Sequence, residues 1–448
     1  MNSLAFALTL PILAGGVAWL TRGVHRLGGA LAVAVGVIGL LACASLPTER
    51  TFPLAAGLAL EWSSAIRLLV LALWAVLALF GALELARPGW SFVMPAVLVA
   101  TGLTLFALTL RPLPLAFLAM QIGGLLIVFP ALEGPARRPW GTLGYLVVTI
   151  MSGAIGLMGL SLAEFHAQNP DEATARLAAA LFAVAAGLSL ALIPLHFWLP
   201  RVTETAPFQV TAWLGIVGQL GILGLVLRLL TEYDWLLTVT PLIYTFILGG
   251  LASVILGGAL ALAAPTPRHW FAYAMIFSTG IAVVGFGLFV QQGAGGAALA
   301  LVNRTLAILV ATAGFRAVPN LATHWDDLRG MGRHVPPAGV ALGVAAAAFA
   351  AFPPLAGFPA AWLIYRAAFD AAPVLAYLLA PGMVLIALSV FRLLVTLVEP
   401  GEGHARETPL GLSILIGGLT LGLIVLGLFP QLALGPIMSA LATLRFLP

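Results

Sequence analysis

The chain has 448 residues, of which 62% are hydrophobic and only 8% are charged, and its mean hydropathy is +1.10. This composition excludes a soluble globular domain and is typical of a helical protein that crosses a bilayer many times. All twenty basic residues are arginine, so the chain lacks lysine, the base that most readily loses its proton when buried.

Apolar runs of about twenty residues predict the membrane-spanning helices, because about twenty helical residues cross 30 Å of hydrocarbon. About fourteen spans are predicted in chain order: 3–20, 27–46, 66–85, 92–110, 115–132, 143–162, 177–198, 210–230, 241–264, 270–290, 297–315, 340–365 with a break, 374–398 and 410–428. The first is interpreted as a retained helix and not as a signal peptide. It lacks a basic segment before the apolar run, and Thr21 and Arg22 follow it instead of a cleavage site.

Arginine is distributed unequally between alternate loops, and this asymmetry predicts the orientation of the chain. One side holds Arg22, Arg26, Arg87, Arg137, Arg138, Arg201, Arg268, Arg316, Arg329 and Arg333. The other side holds Arg50, Arg67, Arg111, Arg176 and Arg228. The first side is predicted to be cytoplasmic and the N-terminus to lie outside, in the inner membrane of a bacterial or archaeal cell. These loop arginines explain the basic pI of 9.7 without a nucleic-acid partner.

Two spans contain proline at membrane depth. Pro194 lies within residues 189–200, and Pro353, Pro354 and Gly357 interrupt the span 340–365. Because proline removes a helical hydrogen bond, such irregular backbone is tolerated only where it faces protein or water. Broken helices at matching points of two halves indicate an inverted-repeat transporter core. The alternative interpretation is a pair of proline kinks without a role in transport.

Five sequence blocks follow one another along the chain: Pro194-Leu195-His196-Phe197-Trp198-Leu199-Pro200 with Ala206-Pro207, Gln219 to Arg228, Phe271 to Gly280, Asn303 to Leu306, and Pro353 to Phe358 with Trp362 to Tyr365. In this order they resemble the antiporter-like subunits shared by respiratory complex I, hydrogenase-4-type membrane hydrogenases and Mrp sodium/proton antiporters. They cover about residues 60–400. The resemblance implies an all-α integral membrane fold of about 14 transmembrane helices, with two inverted five-helix repeats and broken helices near Pro194 and Pro353–Gly357.

The same resemblance implies a division of the chain into four parts. Residues 1–90 form a leading three-helix segment, 91–232 the first repeat, 233–400 the second repeat, and 401–448 a C-terminal helix and tail. In the family, each subunit carries buried titratable groups in mid-membrane, whose coupled charges make a proton path.

The family's titratable positions carry no titratable group in this chain. The fifth-helix glutamate corresponds to Gln121, the seventh- and eighth-helix lysines to Ser189 and Gln219, the tenth-helix histidine to Ser278, and the twelfth-helix acid or base to Ala361. Glutamine and serine can hold water but cannot change charge at physiological pH. A GC-rich genome would favour arginine in place of lysine, which does not explain serine or glutamine. The pattern therefore favours changed selection on the ion path.

Several charged residues remain inside the predicted spans. Arg304 corresponds to a buried lysine of the family, and its partner must come from another helix or another chain, either as part of transport or as carbonyls freed at a broken helix. His196 could pass protons or cap carbonyls near Pro194. Arg392 is interpreted as snorkelling to an interface, while Arg366 is expected to pair with an aspartate four residues later.

Other site chemistries find no support in the sequence. The seven histidines are scattered, Cys43 is alone, and no glycine-rich phosphate loop follows a strand. No cofactor, metal site or catalytic site is therefore predicted within this chain, and any redox chemistry is expected in partner subunits.

Three functions remain as hypotheses. The favoured one is an antiporter-like subunit of an energy-converting or transport complex with a degenerate proton path and a structural or docking role. The first alternative is an active proton- or sodium-translocating subunit that uses Arg304, His196 and water. The second is the membrane partner of an inorganic-carbon uptake system. Expected partners are other membrane subunits, including sibling antiporter-like chains, soluble redox or zinc-binding subunits, and the lipid bilayer.

Overall fold

The computed structural model describes residues 3–24, 26–55, 57–87, 92–133, 139–318, 323–401 and 407–444. Two of the arginines used to predict orientation, Arg137 and Arg138, lie outside these residues. The described chain is helical, with one small antiparallel sheet. This confirms the predicted class of a helical, multi-pass membrane protein.

The elements are named in chain order. They are α1 (Ser3–Leu20), α2 (Leu27–Ala44), β1 (Arg50–Ala55), β2 (Leu58–Trp62), α3 (Ser64–Ala86), α4 (Val93–Thr109), β3 (Leu110–Arg111), α5 (Leu113–Leu126), α6 (Val128–Ala131), α7 (Trp140–Gln168), α8 (Glu172–Ser189), α9 (Trp198–Thr205), α10 (Phe208–Trp213), a π-helix (Leu214–Gly218) and α11 (Gln219–Glu232). A 3-10 helix (Asp234–Thr238) then leads to α12 (Thr240–Tyr244), a second π-helix (Thr245–Gly249), α13 (Gly250–Leu262), α14 (Pro267–Gly287) and α15 (Gln291–Ala317). The remainder comprises a 3-10 helix (Trp325–Leu328), α16 (Met331–His334), α17 (Pro336–Phe349), α18 (Gly357–Ala371), α19 (Pro373–Val398), α20 (Leu410–Leu428) and α21 (Gln431–Leu441).

Every predicted span overlaps a helix or a run of two or three consecutive helices, and the span 177–198 also includes the non-helical residues between α8 and α9. Within the described ranges, 12 helices are long and apolar enough to cross a membrane, while α4 and α17 are shorter apolar helices. The total of fourteen spans depends on counting α4 and the broken pair α17–α18, and it stays a prediction. The sequence did not indicate α21, which follows α20 after a short turn.

A β-hairpin joins α2 to α3, an element that the all-α expectation omitted. Strand β1 pairs with β2 in antiparallel register, with Arg50 opposite Trp62, and β2 continues the sheet by pairing with β3. Gly57 lies in the turn with φ +76°, a conformation that glycine adopts without steric penalty. The hairpin is short, and it leaves the helical architecture unchanged.

The core lies where three long helical segments meet. These are the continuous segment α10–π–α11 together with α14 and α15. In the most apolar eighteen-residue stretch of each, 78–89% of the residues are buried, whereas the corresponding figure for α20 is 22%. Polar groups on the three central segments therefore face protein and not lipid.

Two breaks in the helical structure share one backbone geometry. Between α8 and α9, Ala191 has φ +54°, and between α17 and α18, Ala351 has φ +57°. In both breaks the N–H of the next residue donates to the carbonyl five residues earlier, at 2.9 Å. Pro194 and Pro354 each follow three residues after the alanine. This equivalence supports the predicted repeats, whose inverted relation and boundaries at residues 90, 232 and 400 stay predictions.

Candidate functional site

Arg304, in the middle of α15, is the centre of a buried polar cluster. Its side chain is 1% exposed. Nε donates to Ser278 Oγ at 3.1 Å, Nη2 donates to Gln219 Oε1 at 2.6 Å, and Nη1 donates to the Gly215 carbonyl. Among the residues that the structure describes, no carboxylate oxygen lies within 4.0 Å of this guanidinium. The expected partners on other helices are thus present, and they are all neutral oxygens.

Gln219 connects the arginine to the first broken helix. Its Oε1 accepts a second hydrogen bond, from Thr279 Oγ1 at 2.8 Å, while its Nε2 donates to the Leu190 carbonyl at 3.2 Å. Leu190 directly follows α8, where the helix break leaves carbonyls without helical partners. One amide side chain therefore satisfies both the buried cation and the broken backbone.

The π-helix Leu214–Gly218 brings the backbone against Arg304. A π turn displaces carbonyls from the regular helical pairing, and such turns are frequent at functional sites. The carbonyl that accepts from Arg304 belongs to Gly215. A Cβ at this position would lie 2.7 Å from Met275 Sδ and 3.7 Å from Arg304 Nη2. A larger residue here would displace the Met275 side chain, so glycine allows the close approach of this segment to α14.

Three of the predicted ion-path positions, Gln219, Ser278 and Arg304, meet in this cluster. Ser278 Oγ also donates to the Met275 carbonyl at 2.9 Å, so its lone pairs face the guanidinium. Arginine remains protonated in proteins, and glutamine and serine do not ionise. Chemically, the cluster holds a permanent positive charge and can orient water, but it cannot release a proton.

Gln121 and Ser189 lie beside a small cavity of about 40 Å³. Tyr145 and Ser152 contribute polar atoms to the same wall, and Gly218 places the cavity next to the π-helix. A volume of this size accommodates roughly three water molecules. The structure therefore brings two further predicted positions together, at a site that is adjacent to the Arg304 cluster and that can hold water.

His196 lies in the first break and is half-buried. Its Nδ1 atom is buried and makes no hydrogen bond of normal geometry within 3.5 Å to a described residue, although the backbone of Pro194 lies close enough to interact with the imidazole. The ring lies 6.4 Å from the ring of Tyr273. Trp198 Nε1 donates to the Leu188 carbonyl at 2.8 Å. Two carbonyls at the end of α8 are thus bound by Trp198 and Gln219 and not by His196.

The second break is separate from the Arg304 cluster. Asn303 Nδ2 donates to the Ala348 carbonyl at 2.9 Å. This bond is equivalent to the one from Trp198 to the Leu188 carbonyl at the first break. Ala361 lines an apolar pocket of about 390 Å³ with Phe352 and Trp362. The position predicted to correspond to the family's acid or base is therefore a methyl group on an apolar wall.

Arg392 stabilises the end of another helix. Its Nη1 donates to the Leu262 and Ala264 carbonyls at 2.7 and 3.2 Å, and its guanidinium lies 4.3 Å from the centre of the Trp325 ring. A cation at the C-terminus of α13 satisfies carbonyls that have no helical partner. The predicted snorkelling is therefore better described as capping of α13.

Comparison with known proteins identifies the family. A family model described as "NADH:quinone oxidoreductase/Mrp antiporter, TM" matches residues 142–389, which is more than half of the chain. The chain belongs to this family. The matched region contains Ser189, Gln219, Ser278 and Arg304, so most of the cluster lies within the family's common part.

Relatives and solved structures agree with this assignment. The chain is 29% identical to NADH-quinone oxidoreductase subunit N 1 of Herpetosiphon aurantiacus over 56% of the chain and 52% of that protein, so it spans about half the length of this relative. It is 30% identical to NADH-quinone oxidoreductase subunit N 1 of Solidesulfovibrio magneticus over 66% of the chain and 67% of that protein. A chain of the Mrp complex from Dietzia sp. DQ12-45-1b has the same fold, with a TM-score of 0.87 over 99% of this chain and 98% of that one at 20% identity.

Sequence reasoning missed a buried acid. Glu84, near the end of α3, is 3% exposed. Its Oε2 accepts from Gln209 Nε2 at 2.5 Å and lies 3.4 Å from Arg316 Nη1, and Arg87 donates to the Arg316 carbonyl. Among the buried polar side chains of the described chain, Glu84 is the sole carboxylate. An acid inside an apolar run is itself a signal of a functional or paired group, and the sequence carried that signal.

Arg268 is a second residue whose environment differs from expectation. The sequence places it in or beside a loop on the predicted cytoplasmic side, and the structure places it at the start of α14, where it is 1% exposed. Its Nη1 donates to the Thr203 and Ala206 carbonyls at 3.0 and 2.9 Å, and its guanidinium lies 4.0 Å from the centre of the Phe208 ring. It therefore joins the end of α9 to the start of α10 and α14.

Proposed function

We propose that the chain is an antiporter-like subunit of a multisubunit membrane complex, in which it has a structural or docking role and a proton path that has lost its relay. The family membership and the fold support this class. The relatives named above are subunits of NADH-quinone oxidoreductases, and the similar structure is of an Mrp complex. Other membrane subunits, including sibling chains, are therefore the proposed partners, and redox chemistry is assigned to soluble subunits.

The environment of Arg304 is the observation that carries the proposal. A proton relay needs groups that bind and release protons. Here the buried cation is held by a backbone carbonyl, an amide and a hydroxyl. Because none of these groups titrates near neutral pH, the cluster keeps a net charge of +1 near neutral pH.

A permanent central charge also opposes the passage of cations. Two unit charges at about 4 Å repel each other by about 4 kcal/mol at an effective dielectric constant of 20. A hydronium or sodium ion brought to that distance from Arg304 would meet this barrier, and no acid of the described residues lies close enough to Arg304 to offset it. The fixed charge thus supports a closed central path.

An active translocating subunit is the second candidate. The water-sized cavity beside Gln121 and Ser189 favours it, as does the unpaired, buried Nδ1 of His196. In this mechanism His196 would exchange protons with water in the break, and the cavity would carry them toward the π-helix. Arg304 would then orient the water molecules and would not itself carry the proton.

We further propose that the N-terminus lies outside, in a bacterial or archaeal cell membrane. Arg22 follows α1, Arg87 follows α3, and Arg201 lies within α9. These positions fall on one side of the membrane if successive spans run in opposite directions. The positive-inside preference supports a cytoplasmic location for these positions. The two breaks with equal backbone geometry support the division into two repeats.

The test begins with the complex itself. Purification in mild detergent should recover the chain with other membrane subunits, which protein identification would name. The complex should then be reconstituted into vesicles with His196→Ala or Arg304→Ala, and proton transfer measured with an enclosed pH dye. The matched control is Arg366→Ala, which replaces an exposed arginine of α18.

The structural role predicts that each variant transfers protons at the wild-type rate whenever the subunits remain assembled. Loss of transfer in His196→Ala or Arg304→Ala, with an unchanged subunit composition and a normal control, would establish the translocating role instead. Recovery of the chain without any partner subunit would contradict membership of a complex.

A further inference from the structure

A large apolar cavity lies beside α15, on a face that includes Ala298, Val302 and Leu306. It has a volume of about 470 Å³, is lined mainly by α3, α11, α15, α20 and α21, and is open on one side. Protein interiors contain few voids larger than a water molecule. A cavity of this size therefore has to be explained by what fills it.

Small side chains on three different helices create the space. Ala72 of α3, Ala298 of α15 and Ala440 of α21 all line it. Their methyl groups leave a gap that a larger apolar residue on any one of the helices would narrow. The cavity is therefore a consequence of residue choice on several elements.

The cavity is elongated along α3. Its wall on this helix runs from Ala65 through Leu68, Ala72 and Val76 to Leu79, positions that share one helical face. At 1.5 Å per residue this wall is about 21 Å long. The hydrocarbon core of a bilayer is about 30 Å thick, so the acyl chains of one leaflet, about 15 Å deep, fit along this wall. Its direction, along a membrane-spanning helix, is also that of an acyl chain.

The lining offers almost no hydrogen-bonding capacity. Thr305 is the one residue with a polar side chain among those that line the cavity, and its hydroxyl donates to the Leu301 carbonyl at 2.8 Å. Apolar cavities stay empty of water, and a quinone or sugar headgroup would lack partners here. Within a bilayer, the apolar solvent that surrounds the protein consists of lipid chains.

We propose that this cavity binds one acyl chain of a membrane phospholipid, with the headgroup outside the cavity. The helix α21 forms part of the wall through Pro436 and Ile437, and Ile437 and Leu441 form a separate apolar cluster with Ala294 of α15. The bound chain thus completes the packing of α21 against α3 and α15. The site is a lipid site within one subunit, in addition to the polar centre.

Native mass spectrometry tests the proposal on the full chain, purified after reconstitution into vesicles of phosphatidylethanolamine and phosphatidylglycerol. The wild-type chain should retain one phospholipid after extended washing in detergent. Ala298→Phe, which fills the cavity, should reduce this retained fraction at least tenfold. Ala154→Phe is the matched control, because Ala154 is exposed on α7, and it should retain lipid like the wild type.

Equal retention of phospholipid by the wild type and Ala298→Phe would overturn the proposal, as would retention of a quinone in place of a phospholipid. Ala440→Phe fills the same cavity from α21. It replaces Ala298→Phe in the retention assay if that variant does not fold. A phospholipid with a photoreactive group in its acyl chain provides an assay on the unmodified protein. Crosslinks on the cavity face of α3 or α15 are expected, and crosslinks confined to exposed faces would contradict the site.

Discussion

Replacing Gln219 by leucine removes the amide that holds Arg304 while keeping a side chain of similar size. The substitution removes three hydrogen bonds: one from the Arg304 guanidinium at 2.6 Å, one from Thr279, and one to the Leu190 carbonyl. The single hydroxyl proton of Thr279 can instead be donated to the Met275 carbonyl at 2.8 Å, so losing the Thr279 bond adds little to the cost.

The magnitude follows from the two remaining bonds. A hydrogen bond to a charged group contributes about 1.5–3 kcal/mol, and a buried carbonyl that loses its partner costs about 1–3 kcal/mol. Gln219→Leu should therefore lower the free energy of unfolding by about 3–5 kcal/mol. Gln219→Glu should lower it less, because a carboxylate still accepts from Arg304 and only the donor to Leu190 is lost.

Unfolding in mixed micelles, followed by tryptophan fluorescence as denaturing detergent is added, measures these differences. Gln168→Leu is the control, since Gln168 is exposed at the end of α7, and it should change stability by no more than about 0.5 kcal/mol. If Gln219→Leu were no more destabilising than Gln168→Leu, the described environment of Arg304 would be wrong.

Three further predictions concern other parts of the chain. Glu84→Gln should lower the free energy of unfolding by about 3 kcal/mol, because it leaves buried Arg316 without its counter-charge; the same micelle assay measures it. Ala351→Gly should be neutral or stabilising by up to about 1 kcal/mol, because φ there is +57°, whereas Ala350→Gly should destabilise by about 0.5–1 kcal/mol. Asp171→Ala should lower the melting temperature at pH 7, and the difference should shrink below about pH 4. Hydrogen bonds from a neighbouring threonine hydroxyl and backbone N–H lower the pKa of Asp171, so its stabilisation is complete above the unfolded pKa of about 3.9 and is lost in acid.

Each of these has a control and a contrary result. For Glu84, the exposed pair of Glu172 with Arg176 provides Glu172→Gln, which should change stability by at most about 0.5 kcal/mol, and an equal effect of the two would refute the buried pair. Equal destabilisation by Ala351→Gly and Ala350→Gly would contradict the left-handed backbone at the break. A constant difference between pH 7 and pH 3 would show that the Asp171 carboxylate does not cap α8.

The lengths of the apolar runs and the positions of proline were enough to predict most of the fold. Spans are set by bilayer thickness, which acts on every apolar run alike, and proline marks breaks because it cannot complete a helix. The hairpin β1–β2 could not be predicted because its strands do not alternate apolar with polar residues and β1 contains Pro53. The helix α21 was missed because the sequence after α20 is shorter than a span and interrupted by Pro436.

The central site was predicted only in part. The sequence indicated that Arg304 needs partners from other helices, and that Gln219 and Ser278 occupy positions in a polar path. It could not show that a π turn would present the Gly215 carbonyl, because such turns depend on packing and not on a residue pattern. The pairing of Glu84 with Gln209 joins residues 125 positions apart, a separation that no local pattern reports.

The number of protons moved per turnover of the proposed complex tests the central claim most directly. Arg304→Leu combined with Gln219→Leu removes the fixed charge together with its main side-chain acceptor, so that no unpaired cation remains to confuse loss of folding with loss of function. We expect the complex with the double variant to move the wild-type number of protons per turnover, with all subunits present. A number reduced by half or more in an otherwise complete complex would contradict it.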